Sequence, residues 1–504
     1  MLLSAPRSRD ILECIASLSS DEVATPPSVA NQVLDLLPTE VWANKDLKWL
    51  DPASKTGVFL REAARRLMEG LKGAIPDDAE RRNHIFTKML HGYSITELTA
   101  QMSRRTLYYN KDASNTKLSV VPFKSDEGNI WYSGQDHAYS ANGKCEVCGA
   151  AEDAFGTPGN REHHAYDFIH NKETEMKFDV IVGNPPYQLD AAGFGRQATP
   201  IYDLFVEQAI RLQPRYIAMI IPSRWFTGGM GLTQFRERML NSRHIRAIYD
   251  FANSEWLFPG VQVKGGVCFL FWDSSWDGLC QFNEMHESEV SVSENRDLSE
   301  HGNILVRHSK ARGIIAKVSL KADAKDISML TEHMSGLNPF GIPSNYVRAS
   351  KLTGRETIRL HTKDGVVMTD RSTIQSNVDL IDKWKVFISK AGPNGAGYPN
   401  KILGRVFIDG PGSACTHSYF IATACDTRKE AERVAGYLHQ TLPRFLAAMR
   451  MATQDISRDR FSWTPYPDPI LPITDEGLLK FFEIEDEEAK YIESIVSPME
   501  STDV

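Results

Sequence analysis

Phe178-Asp179-Val180-Ile181-Val182-Gly183-Asn184-Pro185-Pro186-Tyr187 is the stretch on which the reading of the fold turns. Its first half is a short apolar run rich in β-branched residues, the pattern of a strand buried on both faces. Two prolines then remove backbone donors and fix φ, which ends the strand abruptly. A rigid turn after a buried strand lies at the carboxyl edge of a sheet, where open α/β sheets place their ligands. Working outward, Tyr216–Ile221 and Gly266–Trp272 are further buried-strand runs and Ile245–Phe251 is strand-like. Ile201–Leu212 and Phe235–Asn241 read as helices. Upstream, Trp49-Leu50-Asp51-Pro52 reads as a strand end, followed by a small-residue turn and a helix from about Val58 to Leu71. A strand near His91–Ile95 precedes a helix over Thr99–Tyr108, and Ser28–Pro38 reads as a helix with proline near its start. Strands alternating with helices over residues 20–273 predict a doubly wound, Rossmann-like α/β domain.

The acidic, Ser-rich stretch Glu287–Glu300 breaks this alternation and is the expected boundary. It gives a first domain over 1–286, with a polar insertion at about 125–176, and a second over 287–504 of mixed α+β character. In the second, Val386–Lys390 and Val406–Ile408 read as strands, Thr427–Met451 as a helix, and an acidic helical segment follows Trp463-Thr464-Pro465-Tyr466-Pro467. A length of 504 residues fits two to four domains at roughly 150 residues each. The formal net charge of -8 rules out a polycation, so any nucleic-acid contact has to come from local Lys/Arg patches. Seven cysteines are too few, and an odd number, for a disulfide framework, which points to a reducing cytoplasm. Met1–Asp10 lacks a signal-peptide core, and no apolar run approaches the roughly 18 residues of a membrane span.

The turn itself carries chemistry. The side-chain oxygen of Asn184 beside the carbonyl of Pro185 offers two acceptors to one amino group. An amine held by two acceptors keeps lone-pair character on nitrogen and attacks a methylsulfonium more readily. Tyr187 supplies a face on which a planar base can stack.

Strand–Asn184-Pro185-Pro186-Tyr187 resembles the catalytic motif of amino-methyltransferases that act on adenine. The wider chain, from Thr25 to about Met499, resembles the adenine-specific DNA methylases of bacterial restriction–modification systems. Within them it is similar to the subgroup with a cofactor loop of the type Asp51-Pro52-Ala53-Ser54-Lys55-Thr56-Gly57-Val58-Phe59-Leu60. The resemblance implies a site-specific DNA adenine-N6 methyltransferase that uses S-adenosyl-L-methionine, binds double-stranded DNA, flips the adenine out of the stack and works beside a cognate restriction endonuclease. By the same resemblance, Asp51, Pro52, Ala53, Gly57 and Phe59 hold the cofactor, with Asp51 facing its ammonium. Thr25 and Pro26 close over its amino-acid end, and Asn184 is shared between cofactor and catalysis. The family commonly has Gly where Lys55 stands and an acidic residue for the ribose where Ser94 stands; Glu97 is the nearby substitute. Pro200-Ile201-Tyr202-Asp203-Leu204-Phe205, Ile221–Phe226 and Lys264-Gly265-Gly266-Val267 also look like the family.

Cys145-Glu146-Val147-Cys148-Gly149 has knuckle spacing for zinc, with His163, His164 and His170 downstream. The expected ligands are Cys145, Cys148 and two of these histidines, His164 and His170 being the pair taken, which would staple the insertion. The same cysteines followed by Glu162-His163-His164 also resemble the opening of an HNH nuclease, but His170-Asn171 stands too close to supply that motif's Asn and His.

In the second region, Ser389–Gly392, Pro411-Gly412-Ser413 and Thr453–Arg458 look like the family's target-recognition region. Lys383, Lys385, Lys390, Arg444, Arg450, Arg458 and Arg460, with Arg236, Arg238, Arg243 and Arg246 in the first domain, are the candidate DNA-facing cations. Two other readings stay open from the sequence: an amino-methyltransferase of RNA or of protein glutamine, and a DNA-binding homologue with impaired catalysis.

Overall fold

The computed structural model describes residues 24–133, 136–152, 166–170, 176–189, 199–228, 231–261, 263, 265–347, 356–392, 399–451 and 456–499. Glu162, His163, His164, Asn171, Lys264 and the segment 453–455 lie outside the described residues. The chain divides into two compact units, Met1–Leu305 and Val306–Val504.

The first unit runs α1 (Pro27–Leu34), β1 (Trp49–Ser54), α2 (Val58–Gly70), α3 (Asp78–His84), β2 (Leu90–Ser94), α4 (Glu97–Tyr108), β3 (Ile130–Trp131), α5 (Asp167–His170), β4 (Val180–Gly183), β5 (Gln188–Leu189), β6 (Thr199–Pro200), α6 (Tyr202–Arg211), β7 (Tyr216–Pro222), α7 (Thr233–Leu240), β8 (Ile245–Phe251), β9 (Val267–Asp273), β10 (Cys280–His286) and β11 (Glu289–Arg296). Nine strands form one sheet in the order β11-β10-β8-β9-β7-β4-β1-β2-β3. Strands β3, β2, β1, β4 and β7 are parallel neighbours. β9 runs antiparallel to both β7 and β8. The expected Rossmann-like α/β architecture is present.

Side-chain alternation along the central strands feeds two cores. Val180 and Val182 pack on one face with Ala218, Ile220 and helices α1 and α2. Ile181 packs on the other with Ile217, Met219, Ile221 and α6. Both faces are covered, so these strands read as unbroken apolar runs. Local signals start the helices: Thr96 and Thr99 form a reciprocal capping box on α4, and Pro27 opens α1.

The chain enters the sheet at β1, moves to β2 and β3 on one side, then crosses back to β4 on the other. The gap outside the carboxyl ends of β1 and β4 is therefore a topological switch point. Asp51 and Asn184 both stand there.

The boundary expected at 286/287 falls inside the β10–β11 hairpin, and the compact unit continues to Leu305. β11 has only β10 beside it and is mostly exposed, so the acidic and serine residues of an apparent break are accommodated at a sheet edge.

The second unit is mixed α+β. It contains α8 (Ser309–Ala324), α9 (Leu330–His333), β12 (Thr357–Thr362), β13 (Gly365–Asp370), β14 (Trp384–Ser389), β15 (Val406–Asp409), β16 (Ser413–Cys415), β17 (Tyr419–Cys425), α10 (Arg428–Leu438), α11 (Thr441–Ala448), α12 (Asp475–Phe481) and α13 (Asp486–Ile495). Two three-stranded sheets, β13-β12-β16 and β15-β14-β17, share it. The single helix expected over Thr427–Met451 is two helices, α10 and α11. Pro443 lacks the N–H that a continuous helix would need, and its ring would meet the carbonyl four residues earlier. No helix among the described residues is long and apolar enough to cross a membrane.

Candidate active site

Asp51 sits in β1 with 2% of its surface exposed. Its Oδ1 accepts from the Ala53 amide at 3.1 Å. Burial pushes its carboxyl up to about 7, against the opposing pull of the Ala53 N–H, the Lys55 ammonium and the Ser54 hydroxyl. The neighbouring strand crowds it: a methyl on Gly183 would fall 2.9 Å from Asp51 Oδ1.

The turn after β1 is braced from α4. Ser54 and Ser103 share a hydroxyl–hydroxyl hydrogen bond at 2.9 Å, and the Ser103 hydroxyl donates to the Lys55 carbonyl at 3.2 Å. Gly57 has φ +74°, and a Cβ there would lie 3.1 Å from the Ser103 backbone. Lys55 is thus built into a tight turn without a second glycine, because the left-handed step is taken at Gly57. Sequence reading passed over Ser103; a small residue on a helix facing a turn is a weak signal.

Asn184 follows β4 with 3% exposure, and Pro185 and Pro186 beside it are buried. Its Nδ2 donates to Thr25 Oγ1 at 3.0 Å, joining the Thr-Pro-Pro and Asn-Pro-Pro-Tyr segments. Thr25 is buried and Pro26 caps α1 in an extended conformation. Tyr187 is half-buried against the first core, and its carbonyl accepts from the Ile201 amide at 3.2 Å, which ties the turn to the start of α6.

The structure therefore gathers Thr25, Pro26, Asp51, Pro52, Ala53 and Asn184 around one strand-end region. Phe59 is buried in the core under α2. Glu97 is exposed in the first turn of α4, where its carboxylate accepts from Gln101 at 3.4 Å. Ser94, at the end of β2, is buried, and its hydroxyl has no hydrogen-bond partner among the described residues.

The cysteine knuckle lies elsewhere in the same unit. Cys145, Cys148, His170 and His137 bring their ligand atoms within 4.8 Å of one another. His137, which precedes the knuckle, is the fourth member of this group, and His164 lies outside the described residues.

Of the candidate DNA-facing cations, Lys385, Arg444, Arg450 and Arg236 are buried. Lys385 Nζ donates to the carbonyls of Leu380, Ile381 and Lys383. Arg236 donates to Asn303 O at 2.6 Å, and Arg450 lies over the Trp463 ring. These are interior cations capped by carbonyls and rings. Arg238, Arg243 and Arg458 are exposed.

Residues 88–258 match the Eco57I restriction-modification methylase family. An uncharacterized adenine-specific methylase of Mycoplasma pneumoniae is 38% identical over 304 residues, covering 54% of this chain and 72% of that protein. Among solved structures, a nuclease-deletion mutant of the type ISP restriction-modification enzyme LlaGI with a DNA substrate mimic aligns at a TM-score of 0.47 and 13% identity, over 86% of this chain and 45% of that one. A DrdV–DNA complex aligns at 0.45 and 12%, over 88% and 55%. The chain spans about half the length of these two solved chains. By its identity to the Mycoplasma protein over most of that protein's length, and by the Eco57I match across the Asn-Pro-Pro-Tyr turn, the chain belongs to the adenine-specific methylase family.

Proposed function

We propose that the protein is a site-specific DNA adenine-N6 methyltransferase that acts on a flipped-out adenine of double-stranded DNA. The observation that carries this is the placement of Asn184-Pro185-Pro186-Tyr187 at the switch point, next to the buried carboxylate of Asp51.

The residues present fit S-adenosyl-L-methionine. A buried carboxylate wants a cation, and Asp51 suits an amino-acid ammonium. Gly183 leaves room beside it, since a Cβ there would fall 2.9 Å from Asp51 Oδ1. Thr25 and Pro26 bound the same region, and Pro52 and Ala53 extend the turn. Glu97, exposed in the first turn of α4, keeps its carboxylate open to the ribose hydroxyls, while the Ser94 hydroxyl at the end of β2 is buried. When bound, the cofactor supplies an electrophilic methyl group on a sulfonium.

The chain's own residues position the nucleophile. Asn184 Nδ2 donates to Thr25 Oγ1, and Oδ1 is left as the acceptor end. With the Pro185 carbonyl it holds the adenine amino group and keeps electron density on its nitrogen. Tyr187 stacks on the extruded base and offsets part of the few kcal/mol that flipping costs. Positioning does most of the work. The methylated nitrogen releases its proton to solvent, so no dedicated base is required.

The second unit serves as the target-recognition region, a cognate restriction endonuclease is the functional partner, and the cytoplasm is the site of action. A structural zinc ion on the Cys145–Cys148 knuckle belongs to the same proposal, outside the chemistry.

Labelled-methyl transfer from S-adenosylmethionine to unmodified DNA, RNA and protein tests the reading, with Asn184→Ala as the control. Label in DNA alone, with N6-methyladenine in one sequence context on methylome sequencing, is the expected result. A chain that binds cofactor yet labels only RNA or protein overturns it.

A further inference from the structure

We infer that His137 completes a closed Cys2His2 zinc centre with Cys145, Cys148 and His170, and that this centre fastens the inserted segment to the sheet beside the candidate active site. A zinc ion at the knuckle is the premise; methyl transfer is not.

The cysteines are delivered by a short hairpin. Tyr139 bridges Cys145, Lys144 bridges Ala151, and the Cys145 amide donates to the Ala150 carbonyl at 2.8 Å. Gly149, at φ +72°, donates back to the Cys145 carbonyl at 2.9 Å and closes the knuckle. Both cysteines are 4% exposed. His137 comes from the strand of chain before the hairpin, and His170 from the end of α5.

Two of the ligand-atom separations match the edge of a tetrahedral centre, and all four atoms lie within 4.8 Å of one another. Cys145 Sγ lies 3.5 Å from His170 Nε2, and Cys148 Sγ lies 3.3 Å from His137 Nδ1. Ligands at about 2.3 Å for sulfur and about 2.0–2.1 Å for nitrogen around one zinc ion are separated by about 3.5 Å. His170 is also oriented from behind: its Nδ1–H donates to the Tyr166 carbonyl at 2.9 Å, which leaves Nε2 as the ligating nitrogen. Two thiolates and two neutral imidazoles around Zn²⁺ make a centre of zero net charge, suited to a site this buried. Four protein ligands leave no open position, so the ion is structural.

What the centre holds in place is aromatic packing in the second core. Just before His170, Phe168 packs 5.8 Å from Tyr93 on β2 and 5.7 Å from Phe205 on α6, and Tyr166 lies 5.8 Å from Phe205. β2 ends at Ser94, and α6 begins where the Asn-Pro-Pro-Tyr turn is tied down. An isolated α5 has one turn and no stability of its own. Fixing its last residue to a metal centre is what lets so short a helix stay docked in that core.

The test is zinc content, by plasma mass spectrometry, of the full chain purified without a histidine tag. About one zinc per chain is expected for the wild type and for His164→Ala, with most of it lost from His137→Ala and from Cys148→Ser. A strong chelator should lower the melting temperature of the wild type and leave that of His137→Ala unmoved. Wild-type chain that takes up no zinc, or His137→Ala that keeps full zinc while His164→Ala loses it, overturns the assignment. Should His137→Ala not fold, X-ray absorption at the zinc edge of the wild type decides: a shell of two sulfur and two nitrogen neighbours supports the centre, and any other shell overturns it. None of these readouts needs methyltransferase activity, so they stand or fall apart from the proposed reaction.

Discussion

Asn184 Nδ2 donates to Thr25 Oγ1 at 3.0 Å across 159 positions of sequence. The contact makes the first described helix a support for the candidate catalytic turn: a hydroxyl at its threshold sets the rotation of the amide that is to hold the substrate. Thr25→Val removes the acceptor and nearly preserves the shape. A hydrogen bond of this kind contributes about 0.5–1.5 kcal/mol, so kcat at saturating cofactor should fall by about 2- to 12-fold. Thr25→Ser should restore it. A Thr25→Val enzyme with unaltered kcat would show that the amide is oriented by something else.

Tyr187 has a different task. Its ring, half-buried against the first core, is assigned to stacking, which needs the ring and not the hydroxyl. Tyr187→Phe should keep kcat/KM within a few-fold. Tyr187→Ala should lose about 1–3 kcal/mol of base stacking, or roughly 5- to 150-fold. The extruded state can be followed with 2-aminopurine at the target position, whose fluorescence should rise with wild type and Tyr187→Phe. Equal losses in the two variants would move the role from the ring to the hydroxyl.

Asp51 makes cofactor binding depend on pH. Its folded carboxyl titrates near 7, well above its ordinary 3.8, because burial disfavours the charge. Between those values the folded chain keeps a proton that the unfolded chain releases. The stabilisation from this group is therefore complete below about pH 4 and is lost as pH rises through about 7. An ammonium needs the carboxylate, so cofactor binding below pH 7 must expel that proton. Affinity for S-adenosylmethionine should be about tenfold weaker at pH 6 than at pH 8. Asp51→Asn should bind more weakly and lose this dependence. Calorimetric titration in buffers of different ionisation heat counts the proton directly, and a flat wild-type profile would separate Asp51 from the ammonium.

The parts of this protein that could be read from its sequence are those whose signal is local. β4 and β7 are apolar because both faces of the sheet are covered, and the Asn-Pro-Pro-Tyr turn follows from a strand meeting two prolines. β11 could not be read, because an edge strand mostly open to solvent needs no apolar pattern. His137 could not be read either: its place beside Cys148 comes from the path of the chain around a hairpin and not from any fixed spacing. Nor could the burial of Ser94 be read, because it is a property of the folded strand end. Lys385 reads in sequence as a candidate DNA-facing cation because the carbonyls that satisfy it are invisible in one dimension.

Arg444 sharpens that last point into a prediction. It is 0% exposed in α11, and its guanidinium donates to the carbonyls of Gln440, Lys401, Ser497 and His439 at 2.7–3.0 Å. Burial draws the guanidinium down to about 10, which still leaves it charged at neutral pH. It ties α11 to the chain before β15 and to the segment after α13, so it acts as an internal brace of the second unit. Arg444→Met keeps the apolar stem and takes a donor from each of the four carbonyls, of which that of Lys401 still accepts from the Leu403 amide at 2.7 Å. Each buried acceptor left without a donor costs about 1–3 kcal/mol, so urea unfolding should show a loss on the order of 3 kcal/mol or more for this unit. At temperatures where the variant remains folded, the dependence of DNA affinity on salt should be unchanged. A cation that touches phosphate behaves in the opposite way: its removal weakens binding uniformly and lowers the salt slope by about 1. The exposed Arg458, which lies in the same unit, is the comparison, and a changed slope for Arg444→Met with undiminished stability would turn this interior brace back into a DNA contact.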